Sequence, residues 1–262
     1  MENIQHEKEI EAFDRMLTLM EKVRKECPWD GKQTTETLRT LTIEEVYELS
    51  QAILDNKPEE IAKELGDVLM HVVFYALIGK ENNQFDLVEV CNLLSDKLIR
   101  RHPHVFNKRD NITADDVEHN WEKIKLKEGN RSTLSGVPDT LPSLIKAYRL
   151  QGKAAGIGFD WQNKEDVFTK FEEEIAELKQ ELAKQNNQER ITEEMGDILF
   201  SLINYSRFID VNPDTALEKT NKKFKHRFEY MEHIAKEKNK RLCDMNMEQM
   251  ESLWQQAKQK GL

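Results

Sequence analysis

The sequence predicts an all-α protein built as a tandem repeat of two helical bundles. Three observations predict it. Gly and Pro number only 10 and 6 among 262 residues, which leaves long segments free of breakers. Apolar residues recur at three- and four-residue steps along most of the chain. The same ordered set of landmarks occurs twice.

The elements follow in order. Residues 6–26 carry Ile10, Phe13, Met16, Leu17, Met20 and Val23, an amphipathic helix. Cys27-Pro28-Trp29-Asp30-Gly31 breaks it. Thr34 or Thr35 caps a new helix with Leu38 and Leu41 on its apolar side, and a further helix runs from about Thr42 to Leu54. Asp55-Asn56-Lys57-Pro58 is a turn, and Pro58 with Glu59 and Glu60 opens a helix to about Ile78. Residues 86–101 form another helix, ending in Arg100-Arg101-His102-Pro103. Asp115-Asp116 starts one that holds Trp121 and Lys125.

Residues 126–142 shift to Gly, Ser, Thr and Pro and read as a linker. The domains expected are therefore 1–125 and 143–262. The second half repeats the first. Gly158-Phe159-Asp160-Trp161 stands for Cys27-Pro28-Trp29-Asp30, and the eight-residue step from Asp67 to Tyr75 recurs from Asp197 to Tyr205. A basic helix over residues 221–228 answers residues 96–101, and Trp254 with Lys258 answers Trp121 with Lys125.

Composition narrows the function. A net charge of −10 argues against binding a nucleic-acid backbone. Residues 1–10 are charged and lack the apolar core of a signal peptide. The longest apolar run, about Val68 to Gly79, is too short to span a bilayer. Cys27, Cys91 and Cys243 form no paired motif and read as reduced thiols of a cytoplasmic protein.

The repeated chemistry is acidic. Glu44-Glu45-Val46-Tyr47-Glu48 precedes Glu64-Leu65-Gly66-Asp67, and Glu173-Glu174-Ile175-Ala176-Glu177 precedes Glu194-Met195-Gly196-Asp197. With Glu45 at the origin of a helical wheel, Glu48 falls at about 300°, and Leu49, Ile53 and Val46 at about 40°, 80° and 100°. The same template holds from Glu64, Glu174 and Glu194. Two acids at i and i+3 thus border an apolar stripe on four helices. Helices joined by a short turn pack stripe to stripe and set their acids face to face. Carboxylates so close repel one another unless a divalent cation joins them. An all-oxygen set suits Mg²⁺ first and Mn²⁺ second.

The E-E-x-x-E and E-x-x-D pairs on neighbouring helices resemble those of the MazG family of nucleoside triphosphate pyrophosphohydrolases, within the all-α NTP pyrophosphatases. Supporting stretches are residues 27–34, 100–106, 153–161 and 221–224, so the likeness covers nearly the whole chain. The resemblance implies cleavage of NTPs or dNTPs between the α and β phosphates, giving the monophosphate and pyrophosphate. It implies that Glu174, Glu177, Glu194 and Asp197 hold Mg²⁺ in the second domain, and Glu45, Glu48, Glu64 and Asp67 in the first. It also implies a homodimer.

Other roles follow chemical need. Glu173 and Glu193 are candidate general bases. Lys222, Lys223, Lys225 and Arg227 are candidate phosphate ligands; Lys223 and Arg227 share a face. Trp161 and Trp254 are candidates to stack on the base, against core packing as the plain alternative. Lys170 and Phe171, one turn before Glu174, are candidate pocket residues. His71, His102 and His104 read as structural or exposed. The rival functions are a phosphatase releasing orthophosphate and a non-catalytic helical regulator.

Overall fold

The computed structural model describes residues 6–106, 113, 117, 132–184 and 187–262. Trp121, Lys125, Asp115, Asp116 and the first part of the expected linker lie outside these residues. Among the described residues every regular element is helical. The chain divides into two compact units, Met1–Asn111 and Ile112–Leu262.

The first unit opens with α1 (Glu7–Glu26), followed by a 3₁₀ turn at Asp30–Lys32. Next come α2 (Thr35–Leu54), α3 (Pro58–Glu81), α4 (Leu87–Arg101) and the short α5 (Pro103–Phe106). The two helices expected between Thr35 and Leu54 are one continuous helix. Thr34 caps it in a reciprocal arrangement: its hydroxyl accepts from the Thr37 amide, and the Thr37 hydroxyl accepts from the Thr34 amide. No breaker stands between Leu41 and Thr42, so nothing ends the first segment there. Pro58 sits in the first turn of α3 and Asn56 takes a left-handed φ of 53° beyond α2, so one four-residue turn ends one helix and starts the next. The core comprises Met20, Leu38, Val73, Phe74 and Ile78, ringed by Met16, Leu17, Leu41, Met70, Tyr75 and Leu77. Gly79 lets the following loop close on α3: a Cβ there would meet the Phe85 carbonyl oxygen at 2.7 Å.

The second unit contains α6 (Ser143–Ala155), α7 (Lys164–Leu182), α8 (Gln188–Phe208), α9 (Pro213–Glu237), a 3₁₀ turn at Leu242–Asp244 and α10 (Met247–Gln259). Asn163, Asn212 and Asn246 cap α7, α9 and α10 through their side-chain oxygens. Helices α7 and α8 pack along one another, as α2 and α3 do in the first unit. Helix α10 returns onto α9, with Met231, Ala235, Leu253 and Ala257 buried on the two helices. No helix among the described residues is long and apolar enough to cross a membrane.

Candidate active site

Each helix hairpin carries the first acid of each pair in the packed seam. On α2, Leu38, Glu45 and Ala52 follow at seven-residue steps, two turns apart, and so form one line. Leu38 and Ala52 are core residues and Glu45 is half-buried. On α3 the line is Glu64, His71 and Ile78, all buried. In the second unit Val167 and Glu174 align on α7, and Glu194 and Ser201 on α8; all four are buried. The first acid of each pair thus lies in the buried line, whereas Asp67 is half-buried and Glu48, Glu177 and Asp197 are exposed at its border. Val46, Ile53, Leu65, Val72, Leu182, Met195 and Leu202, assigned to the stripe, are exposed within their units. The partner helix covers the line through the first acids, and Leu49, Val68, Leu178 and Ile198 of the adjoining apolar line are half-buried.

Oxygens of Glu45, Glu48 and Glu64 lie within 4.8 Å of one another, as do those of Glu174, Glu194 and Asp197. Asp67 and Glu177 stand outside these closest sets but act on them electrically. Burial first, then Asp67, Glu48 and Glu64, raises the proton affinity of Glu45. Burial also pushes Glu194 up, Glu177, Asp197 and Glu174 add to it, and Arg190 opposes. One oxygen of Glu64, Oε2, is buried with no hydrogen-bond partner. Its other oxygen pairs with Lys63 Nζ at 3.0 Å. An orphaned carboxylate oxygen among three convergent acids fits a hard divalent cation, which would take oxygen donors.

Basic side chains border the second cluster. Lys170 reaches Glu174 at 2.9 Å and Glu173 at 3.3 Å. Arg190 reaches Glu194 at 2.9 Å and also pairs with Glu193. Glu173 and Glu193, the candidate bases, are thus exposed and each held by a cation on its own helix. Phe171 is half-buried one turn before Glu174.

The cationic helix α9 has local work. Arg227 Nε donates to the Leu262 main-chain oxygen at 2.6 Å, and its guanidinium lies 5.3 Å from the Trp254 ring centre. Trp254 also packs at 5.3 Å against Phe224. Arg227 and Trp254 therefore tie α9 to α10. Lys225 pairs with Glu229, Lys223 is exposed and Lys222 is half-buried.

A model of the MazG nucleotide pyrophosphohydrolase domain matches the chain twice, over residues 33–106 and 162–232. The chain belongs to the MazG family. The Escherichia coli K12 protein named nucleoside triphosphate pyrophosphohydrolase is 39% identical over 259 residues, covering 95% of this chain and 98% of that one. A Thermotoga maritima protein named nucleoside triphosphate pyrophosphohydrolase/pyrophosphatase MazG is 39% identical over 251 residues, covering 94% and 95%. An uncharacterised Bacillus subtilis protein, YabN, is 44% identical over 236 residues but is covered over only 48% of its length.

Both MazG matches contain a full set of four acids, and the second contains the α9 cations. Trp254 lies beyond the second match, and Trp161 just before it. In the second MazG unit Trp161 lines a cavity of about 560 Å³ with Gln151, Phe159, Phe200, Asn204 and Arg207. The sequence reading missed Arg190, Lys63, Gln151, Asn204 and Arg207. Arg190 carried a usable signal, a cation four residues before an acid on one helix. Gln151 and Asn204 carried none, because two helices distant in sequence bring them together. His71 proves structural: its Nδ1 lies 2.6 Å from the Thr42 hydroxyl, which is also 2.7 Å from the Tyr75 hydroxyl.

Proposed function

We propose that this chain hydrolyses nucleoside triphosphates at the α–β bond, releasing the monophosphate and pyrophosphate, with the second MazG domain as the main catalyst. The observation that carries the reading is the duplicated acid cluster sunk in a helix seam. A scaffold has no use for buried carboxylates that repel one another. Near full-length relatives named for this activity support it.

Glu174, Glu177, Glu194 and Asp197 would hold Mg²⁺, or Mn²⁺ in its place, and Glu45, Glu48, Glu64 and Asp67 would do so in the first domain. A divalent cation bound there supplies positive charge against the triphosphate. The protein's own groups do the remainder. Lys170 and Arg190, each four residues from a buried acid, are poised to leave the carboxylates for phosphate oxygens. Lys222 and Lys223 on α9 add positive charge. Glu173 and Glu193 accept a proton from the attacking water once released from Lys170 and Arg190. Such a site turns over triphosphate nucleotides in bulk solvent, without a nucleic-acid or membrane partner.

The exposed apolar lines of the two hairpins, with Val46, Ile53, Leu65 and Val72 in one and Leu182, Met195 and Leu202 in the other, support a homodimer. The free thiols Cys27, Cys91 and Cys243 support a reducing cytoplasmic compartment. Product analysis tests the reaction. Incubation with a panel of NTPs and dNTPs and Mg²⁺ is expected to yield monophosphate and pyrophosphate. Diphosphate with orthophosphate would replace this reading by that of a phosphatase.

A further inference from the structure

The seam between α9 and α10 closes on apolar residues. Met231 and Ala235 of α9 and Leu253 and Ala257 of α10 are buried there. Arg227 stands one turn before Met231 and is half-buried. Its Nε is engaged by the Leu262 main-chain oxygen, and its guanidinium is set against the Trp254 ring. A tie between the helices needs no more than that one donor. A guanidinium carries four further N–H donors on its two terminal nitrogens. Those of Arg227 have no hydrogen-bond or ion-pair partner among the described residues. By contrast, Arg190, Arg207 and Arg241 of the same unit each pair with a carboxylate. Lys223, on the same face as Arg227 and one turn earlier, is exposed and forms no ion pair among the described residues.

The turn that ends α10 sets the Leu262 oxygen in place. Gly261 has a left-handed φ of 81°. Its amide donates to the Lys258 carbonyl at 3.1 Å, and the Leu262 amide donates back to the Ala257 carbonyl at 3.2 Å. These two bonds make the glycine-closed helix stop that folds the chain back over the last turn. A residue with right-handed helical angles at 261 would continue the helix, and the Leu262 oxygen would leave Arg227. A Cβ added at Gly261 meets no atom within 4 Å, so a side chain there disturbs the left-handed turn and nothing else.

We propose that Gly261 and Leu262 are positioning residues of the phosphate site: they pin Arg227 by its Nε, so that its terminal nitrogens form a fixed two-pronged fork for a phosphate beside Lys223. The phosphate class rests on the hydrolysis reading; the pinning of Arg227 does not. A guanidinium held at Nε and set against a ring has already given up rotamer freedom. Less is therefore lost when its fork closes on two phosphate oxygens. Arg227 touches the substrate, whereas Gly261 and Leu262 act only through Arg227.

The test is calorimetric binding of α,β-methylene-ATP with Mg²⁺ to the full chain, in a cycle of Gly261→Val and Arg227→Gln. A β-branched residue resists left-handed angles, and Asn tolerates them. Gly261→Val is expected to weaken binding about tenfold, the scale of a hydrogen bond to a charged group. Gly261→Asn is expected to bind within about twofold of wild type, because it keeps the turn. In the Arg227→Gln background Gly261→Val is expected to weaken binding no further, since its effect runs through the guanidinium. Wild-type affinity in Gly261→Val, an equal loss in Gly261→Asn, or the same loss in both backgrounds would overturn the proposal. Pyrophosphate release from ATP is measured on the same wild-type preparation. Release without coupling between Gly261 and Arg227 overturns the positioning role and leaves the hydrolysis reading standing; coupling without release does the reverse.

Discussion

Glu194 and Glu45 show the cost of gathering acids before a cation arrives. A carboxyl whose folded-state pKa is raised stabilises the fold fully below its unfolded-state pKa. That contribution is lost as pH rises through the folded value. Both are raised, burial being the first cause. In metal-free protein, Glu194→Gln is therefore expected to flatten the loss of thermal stability between acidic and neutral pH. The same substitution is expected to abolish the rise in Tm that Mg²⁺ gives the wild type. A melting series with and without Mg²⁺ reads both; an unchanged metal response would remove Glu194 from the ligand set. Glu81 behaves oppositely. Its two hydrogen bonds from Arg24, at 2.9 and 2.6 Å, hold its carboxyl below the usual range. Its contribution is present above the unfolded-state pKa and fades as pH falls through the lower folded one. Glu81→Gln is expected to reduce stability at pH 7 more than at pH 3, and equal losses would contradict that sign.

At the scale of the element, the hairpins depend on their caps and on the seam. Thr34→Ala is expected to cost about 1 kcal/mol, measured by denaturant unfolding, because it removes the acceptor for the Thr37 amide. Leu38→Ala, in the same buried line as Glu45, is expected to cost about 2–5 kcal/mol. A Leu38 variant as stable as wild type would place the core elsewhere. Sequence pattern located these helices well, because start signals such as Thr34 and Pro58 are local. It set the first acid of each pair beside the buried line instead of in it. A wheel weighs apolar content, whereas the partner helix decides which line is covered. In α2 it covers Leu38, Glu45 and Ala52 and leaves Val46 and Ile53 exposed. The hydrogen bond from Arg227 was unreadable for a similar reason: the Leu262 oxygen that accepts it is 35 residues away in sequence.

At the scale of the whole molecule, duplication made the chain legible. Two sets of four acids in the same order pointed to the fold, the family and the candidate ligands at once. What duplication hid was the divergence between copies. Leu98 and Ile99 stand in the first copy where the second has lysine and phenylalanine on the answering helix. Phe74 is a core residue in the first copy, whereas its counterpart Asn204 lines a cavity in the second. The copies share an acid cluster and differ in what surrounds it, which supports the proposed division of labour. The most direct measurement is pyrophosphate release with Mg²⁺ by wild type, Glu64→Gln and Glu194→Gln, the two substitutions removing matched buried acids. Loss of about a hundredfold or more for Glu194→Gln, with most activity retained by Glu64→Gln, is the result expected of a second domain that catalyses. Equal losses from both would contradict it.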